Sequence, residues 1–286
     1  MTENIKVCVF IRAYNSEKFI ENAINSVFRQ NFNGDIFLKI LYDEGSTDNS
    51  YNKILSIIEK IKRKGFNAEI IRHPHTTPFR ALINYGLKNS IELCDYFAIL
   101  DYDNFWDESY LAEAVKTIRN MDFLYSNPIV INESNEKIGF LVRKHLLLND
   151  EQPLLRRYII LIRNFIDAIS IFMSRKCAKI VLDRLELLRS KTFDWIFEDW
   201  AIGAVALYFC NVIKMAQSLV YYRVHGSNIT ANNKVANADM TNFNRGMLTV
   251  FGFRLLIYDK MNFTAKIVYL FITPIIMVRK ICRLRS

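Results

Sequence analysis

The chain has 286 residues, 51% of them hydrophobic and 23% charged, with a formal net charge of +9. That is enough apolar material for one large domain or a domain with an appendage, and it excludes a disordered or low-complexity chain. The positive excess directs attention to nucleic acid, an anionic membrane or a phosphorylated substrate, and nucleic acid is set aside because no binding motif and no aromatic–basic stripe is present.

Met1 to Lys6 leads straight into an apolar run, so no signal peptide is expected. Lys6 to Ile11 is rich in β-formers and reads as a buried strand ending in the polar Arg12 to Asn15. Ser16 is placed to cap a helix whose face carries Phe19, Ile20, Ala23, Ile24 and Val27. Asn33-Gly34 makes a turn, and Ile36 to Tyr42 is the second strand. The polar loop Asp43 to Ser50 follows, with Asp48 suited to an Asx-type turn that caps the next helix. Ile54, Leu55, Ile57, Ile58 and Ile61 mark that helix, and Gly65 ends it. Ala68 to Ile71 is a third strand, 79 to 93 reads as helix, and Tyr96 to Leu100 is a fourth strand. This alternation predicts an α/β domain with a mainly parallel sheet. Ligands bind at the carboxyl ends of such strands, so the clusters Arg12 to Asn15, Asp43 to Asp48 and Asp101 to Asn104 should converge on one crevice.

Downstream, 107 to 120 reads as helix and 122 to 145 as two strands around a turn at Asn132 to Lys137. The stretch 150 to 192 reads as helices. Glu198-Asp199-Trp200 opens a helix through Ala201 to Phe209, Val220 to Val224 is a late strand, Thr230 to Asp239 is a polar loop, and 240 to 282 is helical. No linker divides the chain, so residues 1–230 are expected to form the main domain and 231–286 a helical C-terminal extension. Within that extension Ile267 to Val278 is apolar, broken by Thr273 and Pro274, and flanked by Lys266 and by Arg279, Lys280, Arg283 and Arg285. It is too short to span a bilayer. It suits either a segment lying in the interface of an anionic leaflet or a helix docked on the core. The cysteines, at 8, 94, 177, 210 and 282, share no metal or redox spacing and read as buried free thiols in a reducing compartment. His73, His75 and His145 have no partner pattern and read as surface or loop residues.

Asp101 and Asp103 stand two apart at a strand end, where both project from one edge. Such oxygens suit a hard divalent cation bridging a diphosphate, although an acidic turn has the same composition. Four segments occur in order: Val-Phe-Ile-Arg-Ala-Tyr-Asn (9 to 15), Asp-Glu-Gly-Ser-Thr-Asp-Asn-Ser (43 to 50), Leu-Asp-Tyr-Asp-Asn (100 to 104) and Phe-Glu-Asp-Trp (197 to 200). Together they resemble glycosyltransferase family 2, the inverting enzymes of GT-A fold, over residues 5 to 230.

The resemblance implies a Rossmann-like α/β domain flanked by helices, and a role for each motif. Ala13, Tyr14 and Asn15 would lie near the nucleotide. Arg12 stands where the family usually has Pro, either adding a positive charge near the diphosphate or pairing with a neighbouring acid. Asp43 and Glu44 replace the usual aspartate pair, and Glu44 matches the position that accepts a hydrogen bond from uracil N3. Arg80 and Asn84 would touch base or diphosphate. Asp103 would bind Mn²⁺ or Mg²⁺ directly, with Asp101 beside the ribose or a metal-bound water and Tyr102 beside the nucleotide. Asp199, next to Glu198, matches the general base. Adjacent carboxylates repel, so one of the two should be held by a helix amide or a cation. His225 would complete the metal shell or touch the diphosphate, and Arg223 would bind phosphate. The implied reaction moves a monosaccharide from a nucleotide-diphosphate sugar, with a lean to a UDP-sugar, to a growing or lipid-linked glycan at the cytoplasmic face of the cell membrane. The alternative is a catalytically silent nucleotide-sugar-binding protein of the same fold. A nucleotidylyltransferase is disfavoured by the lack of a glycine-rich phosphate loop near the first strand.

Overall fold

The computed structural model describes residues 4–140, 153–188, 191–194, 196–226 and 247–272. Its first half alternates as expected: β1 (Lys6–Ala13), α1 (Ile20–Phe28), β2 (Asp35–Asp43), α2 (Ser50–Arg63), β3 (Asn67–His73), α3 (Phe79–Lys88) and β4 (Tyr96–Asp101). Then come β5 (Phe105–Trp106), α4 (Tyr110–Ile118), β6 (Phe123–Tyr125), β7 (Ile129–Ile131), β8 (Lys137–Phe140) and α5 (Pro153–Ile160). The described remainder holds β9 (Phe172–Ser174), α6 (Arg175–Leu185), α7 (Glu198–Phe209), β10 (Val212–Lys214), β11 (Val220–Arg223), α8 (247–256) and α9 (Phe263–Ile267), with a π-helical turn at Val268–Ile272.

Seven strands form the main sheet in the order β10-β6-β9-β4-β1-β2-β3. β1 runs parallel to β2 and β4, and β2 parallel to β3, while β9 is antiparallel to both its neighbours. Side chains alternate along a strand, and the core divides accordingly. Val7, Val9, Ile11 and Ala13 of β1 pack with α1, α2 and α4 on one face; Cys8 and Phe10 pack with α3, α6, α7 and α8 on the other. Burial on both faces explains why these strands read as continuous apolar runs. Gly86 lets α3 approach the sheet closely, since a Cβ there would sit 2.8 Å from the Phe10 ring.

Several expectations are corrected. Ser16 is not a side-chain cap: its carbonyl accepts the Phe19 and Ile20 amides, and α1 begins at Ile20 without a side-chain cap. The Asp48 carboxylate does accept the Ser50 amide at the start of α2, at 3.0 Å. The stretch 150 to 192 is not all helix, because β9 inserts between β4 and β6; three residues are too few to display an alternating pattern. β10 was also not expected. The strands around the 132–137 turn are β7 and β8, with β6 as a third. The C-terminal helical stretch is broken by a 3₁₀ turn at Tyr258–Lys260. The expected 230–239 loop, His145 and the basic cluster at 279–285 lie outside the described residues.

The cysteines are the clearest correction. Cys8 is bonded to Cys94, and Cys177 to Cys210, with Cα–Cα distances of 5.8 and 5.9 Å. Their separations of 86 and 33 residues carry no spacing signal. The first bond ties β1 to the entry of β4; the second ties α6 to the end of α7. Both are buried, which shields the sulfurs from solvent thiols.

Candidate active site

β1, β2 and β4 lie side by side and run in one direction, so their carboxyl ends open on the same edge. Ala13 is buried there, and Tyr14 and Asn15 are exposed. Asn15 adopts φ of 43°, a left-handed conformation that Asn tolerates through local hydrogen bonds. Its Oδ1 accepts the Thr47 amide at 2.8 Å, and its own amide donates to Ser46 Oγ at 3.2 Å. The Ser16 amide donates to Ser50 Oγ, and the Glu17 amide to Asp48 Oδ2. These bonds stitch the loop after β1 to the loop after β2.

Asp43 ends β2 and is buried. Its Oδ1 accepts the Gly45 amide at 2.8 Å, and its Oδ2 lies 2.9 Å from His75 Nδ1. His75 also stacks on Tyr14, with ring centroids 5.0 Å apart. His75 therefore has two partners that the sequence did not signal, and His73 is buried at the end of β3 rather than on the surface. Glu44 turns away to pair with Arg72 at 2.8 Å. On α3, Asn84 Oδ1 is buried with no hydrogen-bond partner among the described residues. The side chain of Arg80 lies outside the described set.

At the end of β4, Arg12 takes one of the two roles left open for it. Its Nε and Nη2 each lie 2.5 Å from Asp101 Oδ1, and its Nη1 donates to Glu198 Oε1. The guanidinium thus joins the sheet edge to the first turn of α7, across 186 residues of sequence. Burial alone would lower the Arg12 pKa, but Asp101 and Glu198 raise it further, so the net shift is upward. The Asp101 carboxyl is pushed up to about 6 by burial and by Asp103 and Glu198, against the pull of Arg12. Tyr102 is pushed up to about 12 by burial and the Asp103 and Asp101 charges.

Asp103 faces a different set of partners. Its Oδ2 lies 3.0 Å from His225 Nε2, and its Oδ1 accepts from Asn104 Nδ2 at 2.8 Å. The small sheet β5-β11-β7-β8 brings this about. β11 delivers Arg223, which is buried, donates from Nε to the Asp103 carbonyl and gives its amide to Asn104 Oδ1. His225 follows two residues later and rests against Phe19, ring centroids 5.0 Å apart. Arg223 therefore holds the Asp103 loop.

Glu198 and Asp199 open α7, where the helix N-terminus favours negative charge. Glu198 is held by Arg12. Asp199 Oδ1 accepts the Trp200 amide at 2.7 Å, and its Oδ2 accepts from Asn164 Nδ2 at 2.9 Å. Asn164 is buried and orients Asp199, yet it sits in a stretch whose sequence shows no pattern pointing to it. The two adjacent carboxylates are thus separated in role: one is neutralised by a cation, the other held by amides.

A donor set of Asp103 carboxylate and His225 imidazole fits a divalent cation, which would replace their mutual hydrogen bond. Among the described residues no third His, Cys, Asp or Glu joins them. Two protein donors suit an ion that takes the rest of its shell from phosphate oxygens and water.

Comparison with known proteins identifies the family and the fold. The family model described as glycosyl transferase family 2 matches residues 8–178. An uncharacterized glycosyltransferase of Haemophilus influenzae is 30% identical over 155 residues, covering 50% of this chain and 45% of the relative. The chain thus spans less than half the length of that curated relative. The crystal structure of Staphylococcus aureus TarS 1–349 with UDP-GlcNAc matches at TM-score 0.56 and 16% identity, covering 93% of this chain and 78% of TarS 1–349. A mannosyltransferase from Pyrobaculum calidifontis, in complex with GDP-Man and Mn²⁺, matches at 0.55 and 14%, covering 97% and 73%. These two likenesses establish the fold, a large central sheet flanked by helices as in GT-A glycosyltransferases.

Proposed function

Because the chain belongs to glycosyl transferase family 2 it is a glycosyltransferase, and we propose that it transfers a monosaccharide with inversion from a nucleotide-diphosphate sugar to a glycan hydroxyl. The donor is a UDP-sugar first of all, and the acceptor a growing cell-surface glycan such as capsule or O-antigen, free or lipid-linked. The observation that carries this reading is the Arg12 bridge, which sets the first turn of α7 against the strand-end crevice. Asp199 then takes the proton of the acceptor hydroxyl as its oxygen attacks the anomeric carbon, and the nucleoside diphosphate leaves from the opposite face. Tyr14, Asn15 and Asp43 hold the nucleotide. Asp43, buried beside Tyr14 and His75, is the better placed acceptor for a base imide, since Glu44 pairs with Arg72. Asp103 and His225 would hold Mn²⁺ or Mg²⁺, whose charge would offset that growing on the leaving diphosphate. UDP-GlcNAc and GDP-Man, bound by the similarly folded proteins, support the donor class.

Thermal protection tests this reading. A UDP-sugar at about 100 times its Kd, with Mn²⁺, adds about 2.7 kcal/mol to stability. That should raise Tm by roughly 4–5 °C for a chain of this size. No shift with any nucleotide sugar, with or without Mn²⁺, would sink the donor assignment.

We place the enzyme on the inner face of the cell membrane, docked through its C-terminal extension. No described helix is long and apolar enough to cross a bilayer. α9 and the turn after it nevertheless expose Phe263 (79%), Ile267, Leu270 and Phe271 (64%) at helical spacing, beside Lys266. An exposed apolar face with basic flanks matches interfacial binding to anionic lipid. Phe263→Ser with Phe271→Ser should lower co-sedimentation with phosphatidylglycerol vesicles by about tenfold. Unchanged partitioning would remove the membrane step and leave the transfer reaction untouched.

A further inference from the structure

One face of the Tyr14 ring is covered by the protein itself. The His75 imidazole stacks on the Tyr14 ring at an interplanar angle of 29°. Its Nδ1 lies 2.9 and 3.1 Å from the two Asp43 oxygens. An ionised carboxylate only accepts, so Nδ1 carries the hydrogen. The ring also lies against the backbone of the acidic loop: a Cβ added at Gly45 would sit 2.6 Å from it. A planar ring on an aromatic platform, giving one N–H to a buried carboxylate, is the pattern that a uracil ring with its imide N–H would satisfy at the same atoms.

We propose that His75 occupies the base position of the donor site in the free protein, and that it leaves when the nucleotide enters. This rests on the reading of Tyr14 and Asp43 as base-binding residues. The departure is local. His75 lies in the irregular segment between β3 and α3, and its side chain is 60% exposed even with both contacts made. The base regains what the imidazole gives up, a stacked ring and an N–H to Asp43, so the exchange leaves no buried carboxylate unpaired. A site that is open only part of the time binds its ligand more weakly by that fraction.

The test is titration of UDP with Mn²⁺ into wild type, His75→Ala and Tyr14→Ala by calorimetry. If His75 occupies the base position about nine-tenths of the time, His75→Ala should tighten UDP binding about tenfold. An unchanged Kd overturns the proposal. So does a weaker one, which would make His75 a wall of the site. Tyr14→Ala reports on the underlying reading: if UDP affinity does not fall, or UDP does not bind wild type, the base lies elsewhere. A second readout needs no variant affinity. In the free protein the His75 Cε1–H resonance should carry the ring-current shift of Tyr14, and saturating UDP should return it to the position of a solvated imidazole. A resonance that keeps its shift at saturation also overturns the proposal.

Discussion

Asp199→Asn should lower kcat by about a hundredfold to ten-thousandfold while leaving UDP-sugar affinity within about twofold. Asn keeps the volume, and its side-chain oxygen still accepts one of the hydrogen bonds that now reach the carboxylate from Asn164 and the Trp200 amide. What it loses is the ability to take a proton. A general base acts on the acceptor hydroxyl, so its loss falls on the transition state and not on the donor already bound. Measuring kcat with the acceptor saturating, and donor affinity separately by thermal protection, splits the two effects. A catalytically silent binding protein would show full donor binding in both forms and no turnover in either. Retained turnover in Asp199→Asn would move the base elsewhere, and Glu198 is poorly suited because Arg12 already takes its charge.

Arg12→Met should cost about 3–5 kcal/mol of stability, the range for removing one partner of a buried ion pair. The substitution leaves Glu198, which is buried, and the partly buried Asp101 facing each other across the gap. Urea denaturation of the variant, compared with Arg12→Met combined with Glu198→Gln, isolates the electrostatic part. The double variant removes the uncompensated carboxylate and should recover roughly 1–3 kcal/mol, the coupling expected of residues in direct contact. Arg12→Lys should fall between wild type and Met, because an ammonium lacks the planar fork that reaches both acids at once. If the double variant is no more stable than the single one, the cost lies in lost packing and the bridge is not what holds α7 to the sheet edge.

The legible parts of the fold share one property. β1, β2 and β4 each bury both faces, so their apolar runs stand out against polar neighbours, and the loops after them collect Asn, Asp and Ser. Where an element is short or half-built, its signal vanishes. β9 contributes three residues to the middle of the sheet, held by β4 and β6 on either side, and nothing in its composition separates it from the helices around it. The membrane-facing and domain-level expectations for the C-terminal extension depend in part on residues 273–286, outside the described set.

Taken alone, the amino-acid sequence determined the alternation of strand and helix, the three polar strand ends and the carboxylates at 101, 103, 198 and 199. Those follow from periodicity, turn chemistry and residue type, which are encoded within a few neighbours. The tertiary structure alone decided which partner each group meets. Arg12 pairs with Asp101 and Glu198 instead of remaining open toward a diphosphate, Asp43 meets His75, Asp103 meets His225, and Asn164 reaches Asp199. Four cysteines expected to be free are joined in two bonds. Hydrogen bonds and ion pairs act over about 3–4 Å, while these partners stand 32 to 186 residues apart. Only the parallel packing of β1, β2 and β4, with β11 and α7 folded back over their ends, closes that distance.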